Sequence, residues 1–325
     1  MIEVPGSVAA GSRTNLPSMP PSPPRVLDVE RQREGEGEVA MLWLDRPDAR
    51  NALGRDFFAE LPMVMAELSA DRDVRAVVIA ARGRDFSVGL DLLELGAILA
   101  GDGAGDAAGD AAGDAAGDAA SDAASDARGA GTPASPAARA AAMRCSILEM
   151  QAAIGSVSAC PKPVVAAVHG YCIGGGMDLV TACDVRLASA DAVFSVRETR
   201  MAMVADLGTL QRLPRIVGGG HAAELALTGK DVRADRAREI GLVVEVYPGQ
   251  EELLAAAAST AHEIAALSPL AVQGTKAILS ANDGRTVAQG LEYVAAWNAG
   301  MLASEDLTEA VRAFMEKRPP RFTGG

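Results

Sequence analysis

Cysteine and histidine are both scarce in this chain: 325 residues contain four Cys and three His. Cys145, Cys160, Cys172 and Cys183 are widely spaced and form no C-x-x-C pair, so they read as reduced thiols and not as a disulfide framework. His169, His221 and His262 fall in no H-E-x-x-H or comparable group, so no metal site is expected. Long apolar runs are missing too. Those near Val77 and Val164 end at charge or proline, short of the roughly 18 residues a membrane helix needs, so no membrane span is expected. An excess of basic charge is absent: the net charge is −13, which argues against a nucleic-acid partner. The G-x-G-x-x-G spacing of a dinucleotide fingerprint does not occur. Residues 1–24 are rich in Pro, Ser and Gly and lack both an apolar core and an arginine-rich pattern. They read as a disordered tail with no export signal, and the expected location is cytoplasmic.

What is present is enough to fold. Apolar residues make up 49% of the chain, sufficient for a sizeable core. Seven aspartates, from Asp102 to Asp126, repeat every fourth residue in a Gly/Ser-Asp-Ala-Ala tract from Gly101 to Ala127, and they carry more than half of the net charge. As a helix this tract would stack like charges at i, i+4 and pay about 1 kcal/mol for each Gly, so it reads as a disordered insertion, spanning 101–136. Around it strand and helix alternate. Glu38 to Leu44 reads as a strand, Arg55 to Leu68 as an amphipathic helix and Val74 to Ala80 as a buried strand. A helix from about Ala137 to Ser158, a strand Pro163 to Val168, a helix opening at Gly174 and a short strand pair near Val185 and Val193 follow. Beyond Gly208 helices dominate, broken by one strand near Leu242 to Val246. The rhythm predicts an α/β fold with a parallel sheet, a core over 25–267 and a helical region over 268–318 suited to oligomerisation.

Three segments carry candidate chemistry. Phe86-Ser87-Val88-Gly89-Leu90-Asp91-Leu92 follows a buried strand and turns at a glycine, where a backbone N–H could face a ligand. In His169-Gly170-Tyr171-Cys172-Ile173-Gly174-Gly175-Gly176-Met177-Asp178 a strand runs through three glycines into a helix, bringing free N–H groups close to any ligand. Two such N–H groups aimed at one thioester oxygen form an oxyanion hole, which stabilises an enolate. The third segment, Val196 to Thr209, sets Glu198 and Asp206 among apolar and small residues. Two plainer readings stand beside that one: Glu198 pairs with Arg197 or Arg200, and Asp206 caps the helix that begins near Gly208.

Arg46-Pro47-Asp48-Ala49-Arg50-Asn51-Ala52-Leu53, the Phe-Ser-x-Gly-x-Asp segment at Phe86, Cys160-Pro161-Lys162-Pro163-Val164 through Gly170, and Ala182-Cys183-Asp184 together resemble the crotonase (enoyl-CoA hydratase/isomerase) superfamily from about Val26 to Lys317. Within it, Asp178 after the triple glycine, the run Ala205 to Pro214 and Ala295-Ala296-Trp297-Asn298 are most similar to the delta-3,5-delta-2,4-dienoyl-CoA isomerases. The resemblance implies a crotonase-like fold of repeated ββα units with a C-terminal helical trimerisation arm, and a homotrimer or homohexamer. It also implies an acyl-CoA thioester substrate in fatty acid β-oxidation, with no cofactor beyond the coenzyme A of that substrate. Leu90 and Gly175 would supply the oxyanion hole, with Val88, Gly89, Asp91 and Leu92 lining the acyl-CoA site. Glu198 and Asp206 would transfer the protons, Asp178 would be a third acid, and Arg46 to Leu53 would lie near the coenzyme A moiety. An enoyl-CoA hydratase using Asp178 and Glu198, and a non-catalytic acyl-CoA-binding protein, are the alternatives.

Overall fold

The computed structural model describes residues 25–34, 37–94 and 135–325. The expected tail 1–24 and the insertion up to residue 134 lie outside the described residues.

The centre is a six-stranded sheet in the order β1 (Leu27–Glu34), β2 (Gly37–Leu44), β3 (Val74–Ala81), β4 (Val164–Val168), β6 (Val185–Ser189), β9 (Glu245–Tyr247). All neighbours run parallel except β1, which pairs antiparallel with β2. β3 and β4 are almost entirely Val, Ile and Ala and buried at every position, as strands covered on both faces must be. Side-chain alternation divides the core in two. Val77 and Ile79 pack on one face with Phe57, Leu61, Met65 and Leu68 of α1 (Arg55–Ala70) and with Ile154 and Val157 of α2 (Pro136–Ala159). Ala76 and Val78 pack on the other with Leu253, Ala257, Ala261 and Ala265. That i, i+4 series forms one stripe of α7 (Gln250–Ala265). Each fully buried Leu, Ile, Phe or Met contributes about 1.5–3 kcal/mol.

A second sheet has the order β5 (Tyr171–Ile173), β7 (Val193–Ser195), β8 (Val232–Arg233). The strands expected as a pair near Val185 and Val193 are therefore not paired. β6 joins β4 and β9, whereas the turn after Ser189 lifts β7 into the small sheet against β5. Further differences from expectation are β1, an edge strand whose charged residues conceal it, the three-residue β5, and β8, which makes a second strand beyond Gly208.

In the connections among these strands lie α3 (Gly175–Thr181), α4 (Thr209–Val217), α5 (Gly219–Thr228) and α6 (Ala234–Glu239). The C-terminal part consists of α8 (Pro269–Ala281), α9 (Val287–Met301) and α10 (Glu305–Glu316), N-capped by Ser268, Thr286 and Ser304. These helices leave apolar side chains in solvent, among them Val287 at 80% and Phe314 at 82% exposure. Among the described residues no single helix is long and apolar enough to cross a membrane.

Candidate active site

β3 delivers the chain through Gly83, whose φ of +84° suits glycine, to the segment Phe86–Leu90. There the two glycine segments are stitched side by side: Ser87 N–H donates to the Tyr171 carbonyl at 2.9 Å and Ile173 N–H to the Ser87 carbonyl at 3.0 Å. Leu53 braces the other flank, donating to the Gly89 carbonyl at 2.8 Å and accepting from Asp91 N–H at 3.0 Å. This ladder leaves the Leu90 N–H without an acceptor among the described residues, and the N–H of Gly175, the first residue of α3, is likewise unbonded. The two donors converge. A Cβ placed on Gly175 would lie 3.7 Å from Leu90 N, and one on Gly89 would lie 3.5 Å from Gly175 N and 2.9 Å from the Ile173 carbonyl oxygen. Gly89 and Gly174 hold φ of +92° and +53°, so the backbone favours glycine at both, and at Gly89 the space requires it as well.

The acids face this pair from the following segments. Glu198 opens a 3-10 turn, Glu198–Met201, closed by Ala202 at φ +56°. Its Oε1 would lie 3.4 Å from a Cβ on Gly174, and its Oε2 is buried with no hydrogen-bond partner. Burial pushes the Glu198 carboxyl up to about 7, with the charges of Asp178 and Asp206 adding to the effect. Asp178, 2% exposed on α3, accepts from Thr209 N–H at 2.7 Å. Burial raises it to about 6 despite that bond; Asp206 pushes it further up, while Arg212 opposes. Burial also raises the half-buried Asp206 carboxyl above its ordinary value. The three carboxyls therefore form one electrostatic cluster in which each charge disfavours the others.

The plainer readings of the acids do not describe this arrangement. Arg197 is paired with Asp231 at 2.6 Å and Arg200 donates to the Thr228 carbonyl, so neither neutralises Glu198. The α4 N-cap is Gly208, with no capping side chain, and the first helical N–H is taken by Asp178.

A cavity of about 410 Å³ opens beside Glu198 and the two free N–H groups. Of the residues singled out in the sequence, Val88, Gly89, Leu90, Leu92, Gly175 and Glu198 line it. Asp91 does not: its carboxylate lies 3.3 Å from the Arg46 guanidinium and also accepts from Leu93 N–H. Asp178 and Asp206 are likewise off the cavity wall, linked to Glu198 by charge. Arg50, within the segment expected near coenzyme A, lines the mouth. It stacks over Tyr171 at 5.4 Å and donates to Asp85 at 2.7 Å. Arg84, Met201 and Met203 line it as well. Of these, Arg84 carried no signal beyond its place before the Phe86 segment. Two larger depressions, about 780 and 630 Å³, lie on the C-terminal helices and contain neither glycine segment nor any of the three clustered acids.

A family profile described as enoyl-CoA hydratase/isomerase matches residues 34–105 and 130–325. The peroxisomal delta(3,5)-delta(2,4)-dienoyl-CoA isomerase of Arabidopsis thaliana is 41% identical over 298 residues, covering 92% of this chain and 97% of the relative. The mitochondrial delta(3,5)-delta(2,4)-dienoyl-CoA isomerase of Homo sapiens is 38% identical over 299 residues, covering 91% and 82%. The crystal structure of an enoyl-CoA hydratase from Bacillus anthracis matches with a TM-score of 0.75 at 26% identity, covering 92% of this chain and all of that one. The profile spans most of the sequence and these relatives are matched over most of their length: the chain belongs to the enoyl-CoA hydratase/isomerase family.

Proposed function

We propose that this protein is an isomerase that converts 3,5-dienoyl-CoA thioesters to 2,4-dienoyl-CoA thioesters, a proton-transfer step of fatty acid β-oxidation. The observation that carries the reading is the meeting, on one cavity wall, of two unbonded N–H donors and the buried, unpartnered carboxyl of Glu198. The relatives named dienoyl-CoA isomerase support the choice of substrate.

The thioester oxygen accepts from Leu90 and Gly175 N–H. The resulting polarisation acidifies the α carbon, and Glu198 takes its proton there, leaving a dienolate whose charge extends to the ε carbon. Asp206 returns a proton at the ε carbon, so the substrate gains and loses one proton. The enzyme resets when the proton on Glu198 leaves and Asp206 is reprotonated. Raised carboxyls suit both roles: Glu198 ionises near neutrality, and desolvation favours the protonated form of Asp206. Asp178 anchors the start of α4 and adds charge to the cluster. Coenzyme A arrives with the substrate, and the reaction needs no resident cofactor.

A second reading gives Asp206 no part in the chemistry: Glu198 is on the cavity wall, whereas Asp206 and Asp178 are both off it. An enoyl-CoA hydratase would use Asp178 and Glu198 to activate water. An ultraviolet assay of the purified protein with a 3,5-dienoyl-CoA and, separately, a 2-enoyl-CoA decides between them. Formation of conjugated diene supports the isomerase, and loss of the 2-enoyl absorbance by hydration alone supports the hydratase. Two further parts of the proposal concern the whole molecule. Self-association as a trimer or hexamer through α8 to α10 is supported by their exposed apolar side chains, and a monomeric mass in solution would overturn it. Location in the cytoplasm is tested by fractionation; the relatives above are named peroxisomal and mitochondrial.

A further inference from the structure

The reading above rests on Asp206 standing at a fixed distance from Glu198, yet residues 203–206 have no regular secondary structure. The stretch is bounded by Ala202 at φ +56° and Gly208 at φ +125°. Three ties from three elements hold its far end. Thr209 N–H donates to Asp178 on α3, and the Arg212 guanidinium on α4 donates to the Leu207 carbonyl at 3.3 Å. The third tie comes from α2, 55 residues earlier in sequence: the Gln151 side-chain amide donates to the carbonyl of Asp206 itself at 2.6 Å.

We infer that Gln151 is a positioning residue for proton delivery: by holding the Asp206 carbonyl it fixes where the Asp206 carboxyl stands relative to Glu198. Gln151 carries no charge, so cutting its bond moves the acid without adding or removing a charge in the cluster. The other two ties differ in this respect, because Asp178 and Arg212 each contribute charge as well. Abstraction at the α carbon uses Glu198 and the two N–H groups, none of which touches Gln151. Loss of the tie therefore acts chiefly on the second proton transfer. A dienolate formed in such a variant is reprotonated at the α carbon and returns to substrate.

This inference rests on the isomerase reading, and its test separates the two. Gln151→Met and Gln151→Asn are compared with the parent in deuterated water, following conjugated-diene formation from a 3,5-dienoyl-CoA and, by mass, incorporation of solvent deuterium at the α carbon of unreacted substrate. A displacement of about 1 Å predicts a fall of about 10- to 100-fold in diene formation, with exchange held within about threefold of the parent. Melting curves of both variants establish that they fold, and the shorter Gln151→Asn substitutes if Gln151→Met does not. Equal losses in both readouts, or no loss in either, overturn the role of Gln151. If Asp206→Asn stops diene formation and the Gln151 variants do not, this inference alone fails. If the parent makes no diene, the isomerase reading fails and this inference falls with it.

Discussion

The two sides of the candidate site are built from different materials. The proposed oxyanion side is backbone: Leu90 and Gly175 present N–H groups fixed by the β-bridges at Ser87 and Leu53. The acid side is side chain: Glu198 and Asp206 project from a single 3-10 turn and an irregular stretch, fixed by a few long-range bonds. One side should therefore tolerate exchange of most side chains and fail when a glycine gains a Cβ. The other should fail when a carboxyl becomes an amide.

The largest effect expected from this contrast is at the acids. Glu198→Gln and Asp206→Asn should each lower kcat by about 10² to 10⁴ with little change in KM, measured by steady-state diene formation. Next is Gly89→Ala. Its Cβ would sit 2.9 Å from the Ile173 carbonyl oxygen at a φ of +92°, so the Leu90 donor must shift. A loss of about 10² to 10³ in kcat is expected. By contrast, Leu90→Val should stay within about tenfold of the parent, because it keeps the N–H; equal losses in the two variants would break the comparison. The pH profile is subtler. In its proposed role Glu198 acts as a base only when ionised, so kcat/KM should rise about tenfold per pH unit up to about 7 and then level. Glu198→Gln should abolish the lower limb.

A separate effect concerns stability. Asp178 titrates at about 6 in the fold against an ordinary 3.8, so its neutral form is favoured there. Its contribution to stability is complete below about pH 4 and is lost as pH rises through 6. Asn at this position keeps an oxygen for Thr209 N–H and carries no charge. Asp178→Asn should therefore unfold at higher temperature than the parent at pH 8, by the equivalent of about 3 kcal/mol, with the two converging at pH 4. A less stable variant at pH 8 would show that the charge on Asp178 is a net benefit to the fold.

Much of this molecule can be read from its residues, and the divide follows the same physics. β3 and β4 declare themselves because a strand covered on both faces must be a continuous apolar run. The helices α8 to α10 announce their starts with Ser268, Thr286 and Ser304. β1 is hidden because its charged face lies at the sheet edge, and only the antiparallel register with β2 makes it a strand. The two- and three-residue strands of the small sheet owe their existence to partners distant in sequence. At the site, the glycine segments and acids are visible as residue types. Their connections are not, since Gln151 to Asp206, Asp178 to Thr209 and Arg46 to Asp91 are contacts the fold creates across 31 to 55 residues.

The central claim is that two separate carboxyls serve the two ends of the diene. It is tested most directly by turning over a 3,5-dienoyl-CoA bearing deuterium at both α positions in ordinary water and locating the label in the product. If Glu198 removes the α hydrogen and Asp206 delivers another, the ε carbon of the 2,4-diene acquires hydrogen from solvent and carries no deuterium. Deuterium found at the ε carbon would mean that one base carried the same proton along the diene, and the division of labour between Glu198 and Asp206 would be wrong.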